Sequence, residues 1–225
     1  MKRVGLILVS LLIPFVLLMA AVRIAFSPFF LDLEYNAPKF PPDDYGFTTA
    51  ERLYWGKLSL QYLVDDSEIT FLEDQRLPNG EPLYNERELS HMLDVKLVLQ
   101  KTTLVWGVIC VALAAVGLWS WRGRWLQDYW RAVATGGWIT LGVIVAILFG
   151  VAVGFNQLFG AFHTLFFTSG TWVFAYSDTL IRLFPIKLWQ DAFIFVGLIT
   201  AGLALAAALG LPALRRRKNQ SRKCA

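Results

Sequence analysis

Hydrophobic and polar positions along this chain alternate in long blocks: four apolar runs are separated by polar segments. Val4–Phe26 is interrupted only by Pro14 near its middle and Arg23 near its end, while Thr103–Trp121, Ala132–Phe155 and Phe193–Leu211 carry no charged residue. Each run reaches the roughly 17–25 residues needed to cross a hydrocarbon core about 30 Å thick. Lipid offers no hydrogen-bond partners to a backbone, so runs of this kind are helices. The pattern predicts an all-α membrane protein with four transmembrane helices at about 4–26, 103–121, 132–155 and 193–211.

The polar segments have patterns of their own. Asn36–Phe47, with three prolines and two adjacent aspartates, reads as a turn-rich connector. Thr48-Thr49-Ala50-Glu51 reads as a helix start, with an acid in the first turn, and Leu53, Tyr54, Leu58, Leu60, Tyr62 and Leu63 continue at roughly helical spacing. Asn85-Glu86-Arg87-Glu88 supplies a cap and an acid at the third position, and Leu89, Met92 and Leu93 carry that helix toward the second span. Between these two helices, Pro78-Asn79-Gly80 marks a turn, and Ile69–Tyr84 reads as a small hairpin. Phe155, Phe159, Phe162 and Phe166 fall at helical spacing, so the third helix continues or restarts along the membrane interface. Ser169-Gly170 ends it, and Asp178–Phe184 forms a short helix before Pro185. No repeat, low-complexity tract or soluble linker divides residues 1–225, which read as a single integral membrane domain.

Composition agrees, with 56% hydrophobic residues against roughly 45–50% in soluble domains. Charge then orients the spans. Lys2 and Arg3, Arg122, Arg124 and Arg131, and Arg215, Arg216, Arg217, Lys218, Arg222 and Lys223 lie on one side with a single acid, Asp128; residues 27–101 hold 14 acidic and 7 basic residues. The positive-inside rule puts both termini and the 122–131 loop in the cytoplasm, and the 27–101 and 156–192 segments outside. The net charge of +4 hides this separation, so no nucleic-acid partner is implied. The first run exceeds the 7–15 apolar residues of a usual signal peptide and reads as a retained anchor. Cys110 in a span and Cys224 in the tail offer no disulfide framework.

Only two histidines occur, His91 and His163, each just outside an apolar run. Imidazole is the side chain best suited to proton transfer near neutral pH. On a helix, Glu88, His91 and Asp94 share one face, so either carboxylate can fix the imidazole tautomer and raise its basicity. His163 comes from a different segment, and catalysis through both rings requires that they converge. The structural alternative is that each ring merely satisfies a hydrogen bond at the interface. A metal has less to hold it. Glu88-x-x-His91 resembles half of a di-iron pattern with no second copy, and no HExxH or cysteine set supports zinc on His91, His163 and Asp94. There is no glycine-rich phosphate loop, GxSxG elbow or outward thiol, so neither an acyl-enzyme nor any metal or other cofactor is expected. Arg23, Lys96, Lys101 and Arg182 read as lipid anchors with snorkelling chains.

Taken together, Glu88-x-x-His91-Met92-x-Asp94-Val95-Lys96 resembles the signature of the lipoprotein intramolecular transacylase (Lit) family. So does Phe162-His163-x-x-Phe166-Phe167, followed by Trp172-x-Phe174, Asp178-x-Leu180-Ile181 and Phe184-Pro185. The four-span layout with a large segment after the first span is similar too. The resemblance implies an acyltransferase of the bacterial cell envelope, with its site at the outer face of the cell membrane. It moves an acyl chain from the sn-2 glyceryl ester to the N-terminal cysteine amine of a lipoprotein, leaving a lyso-form product. The implied partners are diacylglyceryl-modified lipoproteins and membrane lipids. His163 and His91 become the catalytic pair, with Glu88 or Asp94 in support and Phe159, Phe162, Phe166 and Trp172 as a cradle for acyl chains. Desolvation by the aromatic loop favours His163 as base, and leaves His91 to bind the oxyanion or orient the ester. Two readings from other classes stand beside this one: a non-catalytic scaffold binding a lipidated partner, and an intramembrane metal hydrolase. Catalysis requires both imidazoles within reach of one substrate, lining a cavity. A metal requires a third ligand at about 2 Å from a common point.

Overall fold

A computed structural model describes residues 2–168 and 170–221; Ser169, Arg222, Lys223 and Cys224, which figure in the sequence reading, lie outside the described residues. The described residues form helices α1 (Lys2–Ala25), α2 (Pro28–Tyr35), α3 (Thr49–Val64), α4 (Thr70–Glu73), α5 (Glu86–Arg122), α6 (Leu126–Phe166), α7 (Thr179–Leu183) and α8 (Ile186–Ser221). The fold is all-α. Four helices are long and apolar enough to cross a membrane: Lys2–Ala25, Glu86–Arg122, Leu126–Phe166 and Ile186–Leu209. They contain Thr103–Trp121 and Ala132–Phe155 whole and all but the last one or two residues of Val4–Phe26 and Phe193–Leu211. The hairpin expected over Ile69–Tyr84 is mostly absent: α4 occupies its start, and a single antiparallel bridge, Arg76 to Pro82, closes around Gly80 at φ +87°. Leu77 N donates to the Glu81 carbonyl and Leu83 N to the Gln75 carbonyl, but Gln75 N donates to the Leu72 carbonyl of α4 and so does not extend the pairing.

The contacts divide the chain into two compact units. One comprises Met1–Val22, Leu104–Phe149 and Phe195–Ala225. Its core joins Val9, Ile13, Leu113, Tyr129, Ala132 and Val133. Helix association in lipid relies on close packing rather than on apolar burial, and adjacent glycines of α6 supply it. A Cβ at Gly136 would lie 2.5 Å from the Ile13 Cβ of α1, and one at Gly137 would lie 2.8 Å from the Ala204 carbonyl oxygen of α8. Ser10 Oγ donates to the Ala132 carbonyl at 2.9 Å, and Trp106 Nε1 to the Val16 carbonyl at 3.1 Å. Outward, Leu104, Val108, Val111, Val145 and Phe149 are exposed, as lipid-facing side chains should be.

The other unit comprises Arg23–Thr103 and Gly150–Ile194. Residues 27–101 alone carry too few apolar side chains for a large core, and the core is in fact shared with the second polar segment. Tyr62, Leu63, Leu72, Leu83, Tyr84, Met92 and Leu99 pack with Leu180 and Leu183 of α7. Helix α3 begins with the expected capping box: Thr48 Oγ1 accepts from Glu51 N, and Glu51 Oε2 from Thr48 N. Two cations read as lipid anchors turn out to be internal struts. Arg182 forms a paired hydrogen bond with Asp43, Nη2 to Oδ2 at 2.9 Å and Nε to Oδ1 at 3.2 Å, while its guanidinium lies 3.6 Å from the Phe47 ring centre. Lys96 donates to the Ser67 carbonyl, lies 3.8 Å from Asp65 and sits over the Tyr62 ring. A cation this deep needs partners it cannot find in lipid. Arg52 similarly donates to the Arg182 and Pro41 carbonyls at 2.8 and 2.7 Å.

The Asp43–Arg182 side chains are 3% and 12% exposed. Burial pushes the Asp43 carboxyl up, but donation from Arg182 and from the Phe47 N–H outweighs it and holds the group below its ordinary range. Removing one partner of such a pair costs about 3–5 kcal/mol because the other charge stays buried. D43A should therefore lower the melting temperature of the detergent-solubilised protein sharply, and D43A/R182M should recover part of the loss. A double variant as unstable as the sum of its single variants would refute direct coupling.

Candidate active site

Helix α5 presents one buried stripe, Glu88, His91, Met92, Lys96 and Leu99, at the spacing of a single helix face. Its start fixes the phase. Asn85 Oδ1 accepts from Glu88 N at 3.0 Å, and Glu88 Oε2 accepts from Asn85 N at 2.9 Å, a reciprocal capping box. The other carboxylate oxygen, Oε1, accepts from Leu180 N of α7 at 2.6 Å. Burial pushes the Glu88 carboxyl up, against the pull of those two N–H donors.

The second histidine comes from α6. That helix is interrupted at Gly154 (φ −163°, ψ 68°) and resumes to Phe166, so the interface segment is a restart. Phe155, Phe159, His163 and Phe167 then stack as a ladder four residues apart, with successive ring centres separated by 5.5, 4.1 and 5.6 Å. His163 Nδ1 lies 2.8 Å from the Phe159 carbonyl oxygen. A carbonyl can only accept, so Nδ1 carries the proton and Nε2 is left with its lone pair.

The two imidazoles meet. Their ring centres are 6.2 Å apart and their planes 23° from parallel, which is one-substrate reach. His91 and His163 are 7% and 8% exposed, inside a cage of rings. Phe167 and Phe174 lie 4.9 and 5.4 Å from His91; Trp172 and Phe162 lie 4.8 and 5.5 Å from His163. The loop carrying Trp172 and Phe174 is held by Asp178, which accepts from Arg87 Nη2 at 2.9 Å and from Ala175 N at 2.8 Å. Arg87 also lies 5.3 Å over Phe174.

Both histidines lie outside the apolar stretches read as spanning, and both are kept neutral. Burial, reinforced by the neighbouring His163, pushes His91 down from its ordinary 6.5 to about 4. Burial also pushes His163 down, opposed by its bond to the Phe159 carbonyl. The expectation that Glu88 or Asp94 orients His91 needs correction. Both Glu88 oxygens are committed to Asn85 and Leu180, Asp94 forms no hydrogen bond to the ring, and His91 Nδ1 is buried with no partner. The cause is geometric: a carboxylate at the third helical position turns back to its own cap, and a place on the same helix face does not by itself aim the short Asp94 side chain at the ring. Among the described residues, no three His, Cys, Asp or Glu side chains gather as a metal would require.

The model of the family described as Lipoprotein intramolecular transacylase Lit matches residues 7–189. The chain belongs to this family. It is similar to the in meso structure of the membrane integral lipoprotein intramolecular transacylase Lit from Bacillus cereus, with a TM-score of 0.73 at 20% identity over 98% of both chains. A form of that protein with a histidine-to-arginine mutation matches with a TM-score of 0.70 at 21% identity, over 98% of this chain and 95% of that one. At these identities the likeness shows the fold. An uncharacterized protein of Aquifex aeolicus (strain VF5) is 30% identical over 208 residues, 88% of each chain.

Of the four residues expected to cradle acyl chains in this Lit family member, Phe159, Phe162 and Trp172 pack on His163. Phe166 touches Phe162 and Phe167 instead, and both Phe162 and Phe166 are exposed. Phe167 and Phe174, part of the pattern that resembles the family but given no role from sequence, are the ring neighbours of His91. Phe167 stands four residues after His163 and was legible in that spacing; Phe174 reaches His91 only through the Asp178 turn. Elsewhere in the same unit, a cavity of about 480 Å³ is lined by Phe29, Asp32, Leu33, Glu34, Asn36, Ala37 and Pro38.

Since folding holds His91 below its ordinary value, the unfolded chain binds that proton more readily, and stability rises with pH between about 4 and 6.5. The melting temperature should fall as pH drops through this window, and H91Q should flatten the fall. Loss confined to lower pH would assign the effect to carboxylates instead.

Proposed function

We propose that this Lit family member transfers an acyl chain within a bacterial lipoprotein, from the sn-2 ester of the diacylglyceryl anchor to the α-amino group of the lipidated cysteine. The carrying observation is the 6.2 Å approach of the two imidazoles, with the His163 tautomer set so that Nε2 can accept a proton. His163 and His91 are the catalytic pair of this reading. Phe159, Phe162 and Trp172 flank the transferred chain, and Glu88 supports the site by fixing the start of α5 and α7. Both termini lie in the cytoplasm and the site works at the outer face, as the distribution of lysine and arginine implies.

The cysteine nitrogen attacks the ester carbonyl carbon, forming the C–N bond as the carbonyl pair moves onto oxygen. His163 Nε2 takes the proton released from nitrogen. The oxyanion accepts a hydrogen bond from His91, whose buried Nδ1 has no partner in the protein. Collapse breaks the bond to the glyceryl oxygen, which takes the proton back from His163. The products are an amide and a free hydroxyl, and the charges balance. An amide is more stable than an ester, so the transfer runs downhill. Nucleophile and ester belong to one molecule, so the protein has to fold the anchor into a medium-sized ring and hold it there.

The test is expression in cells lacking their own N-acylation of lipoproteins, with fragmentation mass spectrometry of the lipopeptides. N-acylated, lyso-form peptides are expected. H163A and H91A should each reduce the product roughly a hundredfold or more, in line with loss of a general base or an oxyanion donor, with the protein still in the membrane. A membrane scaffold would leave the lipopeptides unchanged and would refute the transacylase reading.

A further inference from the structure

Besides the histidines, one polar atom at this site has nothing in the protein to bind. Trp172 Nε1 is buried and without a hydrogen-bond partner. Buried indole N–H groups usually find one, and elsewhere in this chain they do: Trp106 donates to the Val16 carbonyl and Trp189 to the Phe184 carbonyl, both at 3.1 Å. Trp172 lies with its ring centre 4.8 Å from that of His163, which in turn lies 6.2 Å from that of His91. The proton acceptor therefore has two ring neighbours, His91 and Trp172, whose buried nitrogens Nδ1 and Nε1 the fold leaves unbonded.

An indole nitrogen is a donor only, so the group that satisfies it is an acceptor. The surrounding rings are uncharged and no acceptor of the protein reaches this N–H, so the group that fits it is an oxygen brought in by the substrate. We infer that Trp172 Nε1–H is a second oxyanion donor, binding the acyl carbonyl oxygen alongside His91 while the cysteine nitrogen adds to its carbon. This assignment rests on the transacylase reading and changes Trp172 from a hydrophobic wall into a catalytic residue. The indole gives up no proton. As the C–N bond forms, the carbonyl π pair becomes the oxyanion lone pair that the N–H binds, and the same pair re-forms the carbonyl when the glyceryl C–O bond breaks. A hydrogen bond that strengthens only as charge develops lowers the barrier without tightening substrate binding.

Two replacements separate this role from packing. W172F removes the N–H and part of the ring, while β-(3-benzothienyl)alanine at position 172 keeps the fused ring and puts sulfur where the N–H was. Purified protein would be assayed with a synthetic diacylglyceryl lipopeptide in detergent micelles, the product being quantified by mass spectrometry. Loss of one donor should lower kcat about 100-fold or more in both variants, with KM within about twofold of wild type. A benzothienyl variant with wild-type kcat, or one whose KM rises at constant kcat, overturns the assignment even where W172F fails to fold. A wild-type chain that makes no N-acylated product overturns the transacylase reading and this assignment together. Full activity in the benzothienyl form of an active chain overturns this one alone.

Discussion

The carboxylate of Glu88 is 2% exposed and has no cation bonded to it. Such a group is costly unless each oxygen is satisfied, and burial alone pushes its pKa up. Two backbone N–H groups meet the need, but they belong to different parts of the chain. Asn85 N closes the capping box of α5, and Leu180 N belongs to the first turn of α7. In an isolated helix a capping box only ends a helix cleanly; here it also ties together the two segments that build the site. His91 lies one turn further along α5, so its phase follows from the cap. Asp178 lies two residues before Leu180, so anchoring Leu180 brings Asp178 to Arg87 and Ala175. Phe174 is thereby laid against His91.

The absence of a carboxylate beside either imidazole has a chemical consequence. A full negative charge next to a histidine favours the imidazolium, which cannot accept a proton at neutral pH. The Phe159 carbonyl fixes the His163 tautomer with a dipole instead, so orientation is gained at little cost in proton-accepting form. His91 is held neutral more strongly, by burial and by its neighbour. Neutral rings also stack on phenylalanine and tryptophan without desolvating an ion. An apolar cage and a proton acceptor are thus compatible here, which they would not be if a charged partner oriented the ring.

Much of this was written in local pattern. The four spans follow from run length, and both capping boxes, at Thr48 with Glu51 and at Asn85 with Glu88, were readable as a cap residue with an acid three positions on. Most of the unread features are long-range. Arg182 and Asp43 are 139 residues apart in sequence, and no local signal distinguishes that buried pair from a lipid anchor and a loop acid. Helix α2 was missed because its eight residues, PFFLDLEY, follow a span directly and have no capping side chain. Glu88 was placed correctly on the His91 face, yet sharing a face does not decide where a carboxylate turns. The cap drew it away, a choice visible only once Leu180 is in place.

Glycine placement shows how differently the two compact units are constrained. Gly136 and Gly137 have no room for a side chain: Ile13 and Ala204 stand where their Cβ atoms would be. That is the requirement of helices packing in lipid, where contact has to come from close approach. Gly154 has a different task. Its non-helical backbone interrupts α6, and beyond it the chain stops presenting an aliphatic surface and presents the ladder Phe155, Phe159, His163 and Phe167 instead. The stripe at the same spacing before the break, Val145, Phe149 and Val153, is exposed. One helix therefore carries a lipid-facing stripe on one side of an interruption and a histidine-bearing ring stack on the other. Polar chemistry needs an environment that the spanning half cannot supply, and moving the histidine past the break lets α6 serve both.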